Sequence, residues 1–147
     1  MEITPHGTRG AKMPRAAVAM MGVMPRLYRL LGGRGMGPTL ILTTIGAKSG
    51  LKRDAHLTSF PEGEGWLVVA SKGGAAAHPA WYLNMAGHPD DLWVQIGKRR
   101  TRVKAATLKG ADRAKAWERI VSKMSNYGGY QKKTDREIPV VKLTPVT

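Results

Sequence analysis

Residues 40–53 read Leu40-Ile41-Leu42-Thr43-Thr44-Ile45-Gly46-Ala47-Lys48-Ser49-Gly50-Leu51-Lys52-Arg53. The first six form an apolar, β-branched run of the kind that fills a buried strand. It breaks at Gly46 and passes Gly50 into a cluster of cations. Two glycines around Lys48 and Ser49 suit a tight turn whose backbone N–H groups point outward. Such amides, ringed by Lys48, Lys52 and Arg53, make a concave site for an anion. An exposed hairpin with solubilising lysines has the same composition. A second cluster, Ser71-Lys72-Gly73-Gly74, directly follows the next apolar strand. Two such loops at successive strand ends favour one shared anion site.

Working outward, Met1–Lys12 is polar and glycine-bearing and reads as a mobile tail. From Met13 to Leu31 the apolar spacing is helical, with Pro14 in the first turn and Pro25 placed to kink or divide the helix. Arg15, Arg26, Arg29 and Arg34 decorate it, and a basic helix rich in Met and Leu suits either an anionic membrane surface or a neighbouring barrel. Gly32–Pro38 ends it. Beyond lie strands at Thr39–Thr44, Ala55–Phe60, Trp66–Ala70, Trp93–Ile96, Thr101–Leu108 and Ile138–Leu143. A short helix is expected at His78–Asn84 and a longer one at Asp112–Met124, with Ala114, Trp117, Ile120, Val121 and Met124 on one face. About six short strands and covering helices predict a mainly β, α+β fold: a small antiparallel barrel on residues 38–147, preceded by a tail and basic helix on 1–37.

The chain has 147 residues, 42% apolar, enough for one domain with a real core. Its net charge of +14 selects for anionic partners, whether nucleic acid, acidic lipid headgroups or a phosphorylated or carboxylate-rich small molecule. There is no cysteine, which excludes disulfides and thiolate chemistry, and the four histidines are scattered, so no metal site is expected. No apolar run is long enough to span a bilayer and no compact signal-peptide core is present, so a cytoplasmic location is expected.

For chemistry, Lys48, Ser49, Lys52, Arg53, Lys72 and the amides near Gly73 are the candidate anion cradle. It is neither a phosphate-binding P-loop nor a dinucleotide fingerprint, because neither glycine spacing fits. Trp81 and Tyr82 read first as core aromatics. Asn84 could serve a cofactor or cap its own helix. Tyr127 and Tyr130 flank two glycines, in a loop that can offer a hydroxyl to a pocket or seal the barrel's end. Thr134–Glu137 reads as a salt-bridged turn. No hydrolase triad or glycosidase carboxylate pair is present, so an enzyme built this way would leave the hard chemistry to a cofactor.

Taken together, Thr43–Gly50, Ser71–Gly74, His78–Asn84 and the run from Tyr130-Gln131 through Thr134-Asp135-Arg136-Glu137-Ile138-Pro139-Val140-Val141 resemble the deazaflavin-dependent nitroreductase family. The resemblance covers about Pro38 to Pro145, and the joint order of the motifs is its specific part. It implies a split β-barrel like that of the FMN-binding and pyridoxamine-phosphate-oxidase-like flavoproteins. It also implies use of reduced coenzyme F420 for hydride transfer to a quinone, an activated alkene or a nitro compound. The phosphodiester and polyglutamate tail of F420 would explain the cations. By matching position, Lys48, Ser49, Arg53, Ser71, Lys72, Trp81 and Asn84 would contact the coenzyme, with Lys52 and Gly73 completing the cradle. Ser71, Tyr127 and Tyr130 are the implied catalytic residues, and Thr58, Met124, Tyr127 and Tyr130 the substrate side.

Two positions depart from the nitro-reducing pattern: Thr58 and Met124 stand where such members carry aromatic rings. The departures argue against nitroimidazole reduction more than against quinone reduction. Monomeric behaviour is expected, with peripheral contact to an anionic membrane a further expectation from the first helix. The competing readings are a non-catalytic, fatty-acid-binding or FMN-binding barrel, and a basic nucleic-acid-binding barrel. Nucleic acid is not expected as a partner, because Trp66, Trp81, Trp93 and Trp117 sit among apolar neighbours, not in an exposed stacking row.

Overall fold

The computed structural model describes residues 1–146. Thr147, the last residue of the expected barrel segment, lies outside them. The apolar run that opens the sequence analysis is strand β1 (Thr39–Ile45), with Leu40, Ile41, Leu42 and Thr44 fully buried. It pairs on one side with β2 (Lys52–Thr58) and on the other with β5 (Trp93–Ile96). With β3 (Phe60–Glu62), β4 (Gly65–Val69), β6 (Arg99–Thr107) and β7 (Val140–Pro145), they form one seven-stranded sheet of order β2-β1-β5-β6-β7-β4-β3. Every neighbouring pair is antiparallel.

The two ends of that order, β2 and β3, are separated in the chain only by Ser59. One run of backbone therefore supplies both margins of the sheet, which must curl to bring them together, as a barrel does. The single expected strand Ala55–Phe60 is divided at Ser59, whose N–H leaves the ladder for the Pro38 carbonyl. That division accounts for the seventh strand.

Alternation along the strands fills two cores. Inside the barrel, Leu40, Leu42, Val68, Val94, Val103, Val141 and Leu143 meet Trp81, Tyr82 and Met85 of α2 (Ala80–Gly87). On the outer face of β3, β4 and β7, Phe60, Leu67, Val69 and Val140 meet α3 (Gly110–Lys123) and α4 (Asn126–Lys133). Ala116, not the expected Ala114, supplies the buried methyl of α3 with Ile120.

Three expectations are corrected. The first helix, α1 (Arg15–Leu31), runs unbroken through Pro25. The carbonyl that loses its partner belongs to Met21, on an exposed turn where water can take it. Tyr127 and Tyr130 lie within α4, not in a loop, since Gly128 and Gly129 continue the helix. The N-terminal segment is not a free tail. Met1 and Ile3 pack against the barrel core, the N–H groups of Gly7 and Ala11 donate to the carbonyls of Ala76 and Gly74, and Thr8 and Arg9 are held by Asp135. Acceptors far along the sequence, two backbone carbonyls and the Asp135 carboxylate, fix it, and local composition does not reveal them.

Candidate functional site

Antiparallel pairing throughout places the end of β1, the start of β2, the end of β4, the start of β5 and the start of β7 at one end of the barrel. Both basic loops of the sequence analysis therefore share that end, with α2, α4 and the Thr134–Pro139 segment around them.

The first loop is pinned by a side chain from α2. The Ala47 N–H donates to Asn84 Oδ1 at 3.0 Å, and Asn84 Nδ2 donates to Thr44 Oγ1 at 3.2 Å. Asn84 is buried, so its amide is largely spent on holding the turn. Ser49 Oγ accepts the Leu51 N–H within the turn. Lys48 and Ser49 stand exposed at its tip. Arg53 lies opposite Thr44 and so shares the barrel's inner face with Thr44 and Leu42. Lys52 lies opposite Ile45 on the other face, its ammonium 5.8 Å from the Trp93 ring centroid. Strand alternation thus separates Lys52 from Arg53, and the structure does not bring it into the expected cradle.

The second loop has an unusual backbone. Ser71 is right-handed, with φ −79° and ψ −39°, whereas Lys72 has φ +43° and Gly73 φ +63°. Among the described residues Lys72 is the one non-glycine with positive φ. This right-then-left sequence turns successive amides toward one concave side. The N–H groups of Gly74 and Ala75 bond within the turn, while those of Ser71, Lys72 and Gly73 donate to nothing among the described residues. Gly74 is required by contact as well as conformation: at φ +86°, an added Cβ would stand 2.6 Å from the Tyr130 carbonyl oxygen. That contact locks α4 to the loop.

Beneath the loop lies Arg136, 3% exposed. Its Nη2 donates to the Ser71 carbonyl at 2.7 Å, its Nε to Ala75 at 2.8 Å and its Nη1 to Ala70 at 3.0 Å. His78 Nδ1 lies 3.3 Å from Nη1, and His78 Nε2 is 2.7 Å from the Thr4 carbonyl. With Arg136 as a donor at Nδ1, the ring's proton sits on Nε2 and is given to Thr4. Burial pushes the His78 pKa down, the Thr4 bond opposes this, and the charges of Arg136 and His6 add to the lowering. The Thr134–Glu137 run is therefore more than a salt-bridged turn. Glu137 pairs outward with Arg113, Asp135 holds the N-terminal segment, and Arg136 turns inward. Neither acid meets Arg136, which is why the sequence reasoning missed it.

On the other side of Gly74, Tyr127 and Tyr130 meet edge to face at 5.8 Å, and Tyr127 meets Phe60 at 6.1 Å. Burial pushes the Tyr127 phenol up, with the Thr58 side chain against its hydroxyl pulling the other way. Met124 joins the same apolar cluster. The structure thus assembles Thr58, Met124, Tyr127 and Tyr130. Trp81 is 8% exposed and packs edge to face on Tyr82 inside the barrel, so its ring is first a core ring.

Two concavities lie away from these residues. A cleft of about 420 Å³ between α3 and the sheet is lined by Glu62, Asp112, Lys115, Arg119 and Lys142 among others. A second, of about 280 Å³, lies under the Gly32–Pro38 segment against Tyr28, Trp66 and Ile96. Neither contains Ser71, Lys72 or Tyr130. Ion pairs join Arg29 to Asp54, Lys109 to Glu2, Arg113 to Glu137 and Arg119 to Glu62. Among the described residues, Lys48, Arg53 and Lys72 have no acidic partner. Free cations and free amides at one end fit a ligand with several negative charges.

Residues 17–145 match the protein family described as F420H(2)-dependent quinone reductase. A protein of Mycobacterium tuberculosis named as such a reductase is 36% identical over 136 residues, spanning 86% of this chain and 91% of that one. The solved structure of an F420-H2 dependent reductase, FDR-A, is 40% identical with a TM-score of 0.65, covering 73% of this chain and 94% of its own. A further structure, described as a domain-swapped dimer, is 34% identical with a TM-score of 0.66, covering 87% of this chain and 98% of its own.

Proposed function

The chain belongs to the F420H(2)-dependent quinone reductase family, and from that premise we propose how this molecule divides the work. It is a split β-barrel oxidoreductase whose cofactor is reduced coenzyme F420 and whose substrate is a small molecule. When bound, the coenzyme supplies the hydride, and the acceptor is quinone-like. Activated alkenes are the second acceptor class, and nitro compounds the least suited, since Thr58 and Met124 bring no ring to the substrate side.

In this reading Lys48, Arg53 and Lys72, with Ser49 and the amides at Ser71–Gly73, hold the acidic tail and polar edge of the coenzyme. The observation that carries it is the set of unpaired cations and unpaired amides gathered at one end of the barrel. Asn84 acts by fixing the first loop, and Trp81 by filling the barrel beneath it. Lys52 is left out of the cradle. Tyr127 keeps its proton and orients the acceptor. Tyr130 is half-buried, with its hydroxyl near Asn126 Nδ2, so it can exchange protons with solvent and is the better proton donor, with Ser71 or water as the alternatives. The protein's own contribution is placement and electrostatics.

Residues 38–147 then form the coenzyme-binding barrel and 1–37 an attached segment, in a cytoplasmic monomer. The exposed apolar side chains of α1, among them Val18, Met21, Val23 and Leu30, together with its arginines, suit peripheral contact with an anionic membrane, where prenylated quinones reside. Among the described residues no helix is long and apolar enough to cross one.

Fluorescence titration with F420 tests the cofactor assignment; saturable binding at micromolar concentration or tighter, about −8 kcal/mol, is expected. No saturable signal at high micromolar coenzyme would reject it. Lys72→Ala and Arg53→Ala should each weaken binding, and unchanged affinity in both would reject the cradle. Consumption of reduced F420 with menaquinone analogues, enones and nitroaromatics then ranks the acceptors.

A further inference from the structure

We propose that Arg136 is a positioning residue for coenzyme binding, gripping the carbonyl ends of two consecutive peptides so that their N–H ends form a receptor for an electron-rich oxygen. The inference rests on the cofactor reading above. In a trans peptide the C=O and N–H groups point in opposite directions. Arg136 takes the carbonyls of Ala70 and Ser71. These belong to the same peptide units as the N–H groups of Ser71 and Lys72. Both N–H groups must therefore point away from the guanidinium, toward the outside of the loop. With the Gly73 N–H, they are the donors that bond to nothing among the described residues.

Two further observations point the same way. Lys72 is held at φ +43°, a conformation that costs a non-glycine residue energy and persists only where its surroundings impose it. Arg136 also carries a buried positive charge that meets carbonyl oxygens and His78 but no carboxylate among the described residues. Burying such a charge without a counter-ion is costly. An anionic oxygen at the outer side of the loop would complete the arrangement, because each intervening peptide already has its negative end against the guanidinium. Two parts of F420 offer that oxygen: the carbonyl edge of the deazaflavin ring, and the phosphodiester or glutamates of its tail.

The test is nuclear magnetic resonance on the full 15N-labelled chain. It is titrated with F420 and, separately, with the deazaflavin riboside that lacks phosphodiester and glutamates. The amide signals of Ser71, Lys72 and Gly73 should move on saturation with F420. If they also move with the riboside, the ring edge is the occupant; if F420 alone moves them, it is the tail. Arg136→Lys keeps the charge but offers its donors from a single nitrogen, which cannot reach carbonyls set apart to meet Nε, Nη1 and Nη2, so it should bind F420 about tenfold more weakly or worse, with those three signals no longer responding. Signals unmoved in the wild-type chain at saturating F420 would overturn the proposal, whether or not the variants fold. So would a folded Arg136→Lys or Arg136→Gln with wild-type affinity, and either result would leave the cofactor assignment intact. Failure of the unaltered chain to bind F420 at all would bring down both.

Discussion

Two basic loops stand at the same end of this barrel, each of glycine, lysine and serine, and they are built in opposite ways. The turn after β1 is pinned by a neutral side chain, Asn84, and keeps Lys48 and Ser49 in water. The loop after β4 is tied from behind by a buried cation and locked to α4 through Gly74. The first can follow a flexible, multiply charged chain. The second is preorganised, with its donors aimed before any ligand arrives. Composition alone makes them look alike; what lies beneath makes one a grip and the other a socket.

The sharpest way to break that contrast is Gly74→Ala. A methyl group there meets the Tyr130 carbonyl, and the backbone sits at φ +86°. We expect a loss of more than about 2 kcal/mol in stability, seen in thermal or urea unfolding, together with weaker F420 binding. A mild effect on both would mean the second loop is no more rigid than the first. Next in size is Asn84→Ala, which removes two bonds to the first loop and leaves the buried Thr44 hydroxyl without that donor. It should cost about 1–3 kcal/mol in urea unfolding.

Lys48→Ala should leave the melting temperature unchanged and weaken F420 binding by a factor of a few at low ionic strength, a difference that salt erases. Equal loss at high and low salt would place Lys48 in a socket after all. The smallest effect belongs to the N-terminal segment. The Asp135 carboxyl is drawn down from 3.8 to about 2 by the Thr8 hydroxyl and the N–H groups of Arg9 and Thr8. Its folded value lies below its unfolded one, so its contribution is complete above about pH 4 and is lost as pH falls through about 2. Limited proteolysis between pH 5 and pH 2 should find residues 7–12 cut faster as pH falls through that range, and Asp135→Asn should raise the rate of cutting there at every pH, while Met1 and Ile3 stay seated on the core. His78, facing Arg136, His6 and Tyr82, acts in the same direction at higher pH, since its lowered value makes folding less favourable below about 6.5.

Much of this was legible in the residues. Leu40–Ile45 is the continuous apolar, β-branched run of a strand buried on both faces, and the glycine-lysine punctuation marks both loops. Trp117 and Ile120 carry helical spacing onto the sheet. What the sequence concealed are the contacts between distant residues. Arg136 sits between Asp135 and Glu137, and any local reading pairs it with them. The structure instead sends the two acids to Thr8, Arg9 and Arg113 and buries the cation under a loop more than 60 residues away in the chain. Met1–Lys12 was opaque for the same reason, because its acceptors lie at Gly74, Ala76 and Asp135. Lys52 and Arg53 are neighbours in sequence, and only the register of β1 with β2 shows that they face opposite ways.

Helix α1 rests on the barrel through little more than Pro25 and the ring of Tyr28, whose hydroxyl takes the Gly97 N–H at 2.8 Å, with Arg29 reaching out to Asp54. Few contacts need be given up for it to swing about the glycine-rich segment behind it. Global unfolding and the opening of this one element are then separate events, and hydrogen exchange should find the amides of α1 surrendering their protons well before those of β1. Crystals grown in different lattices would meet the same fact as a helix that takes more than one seat.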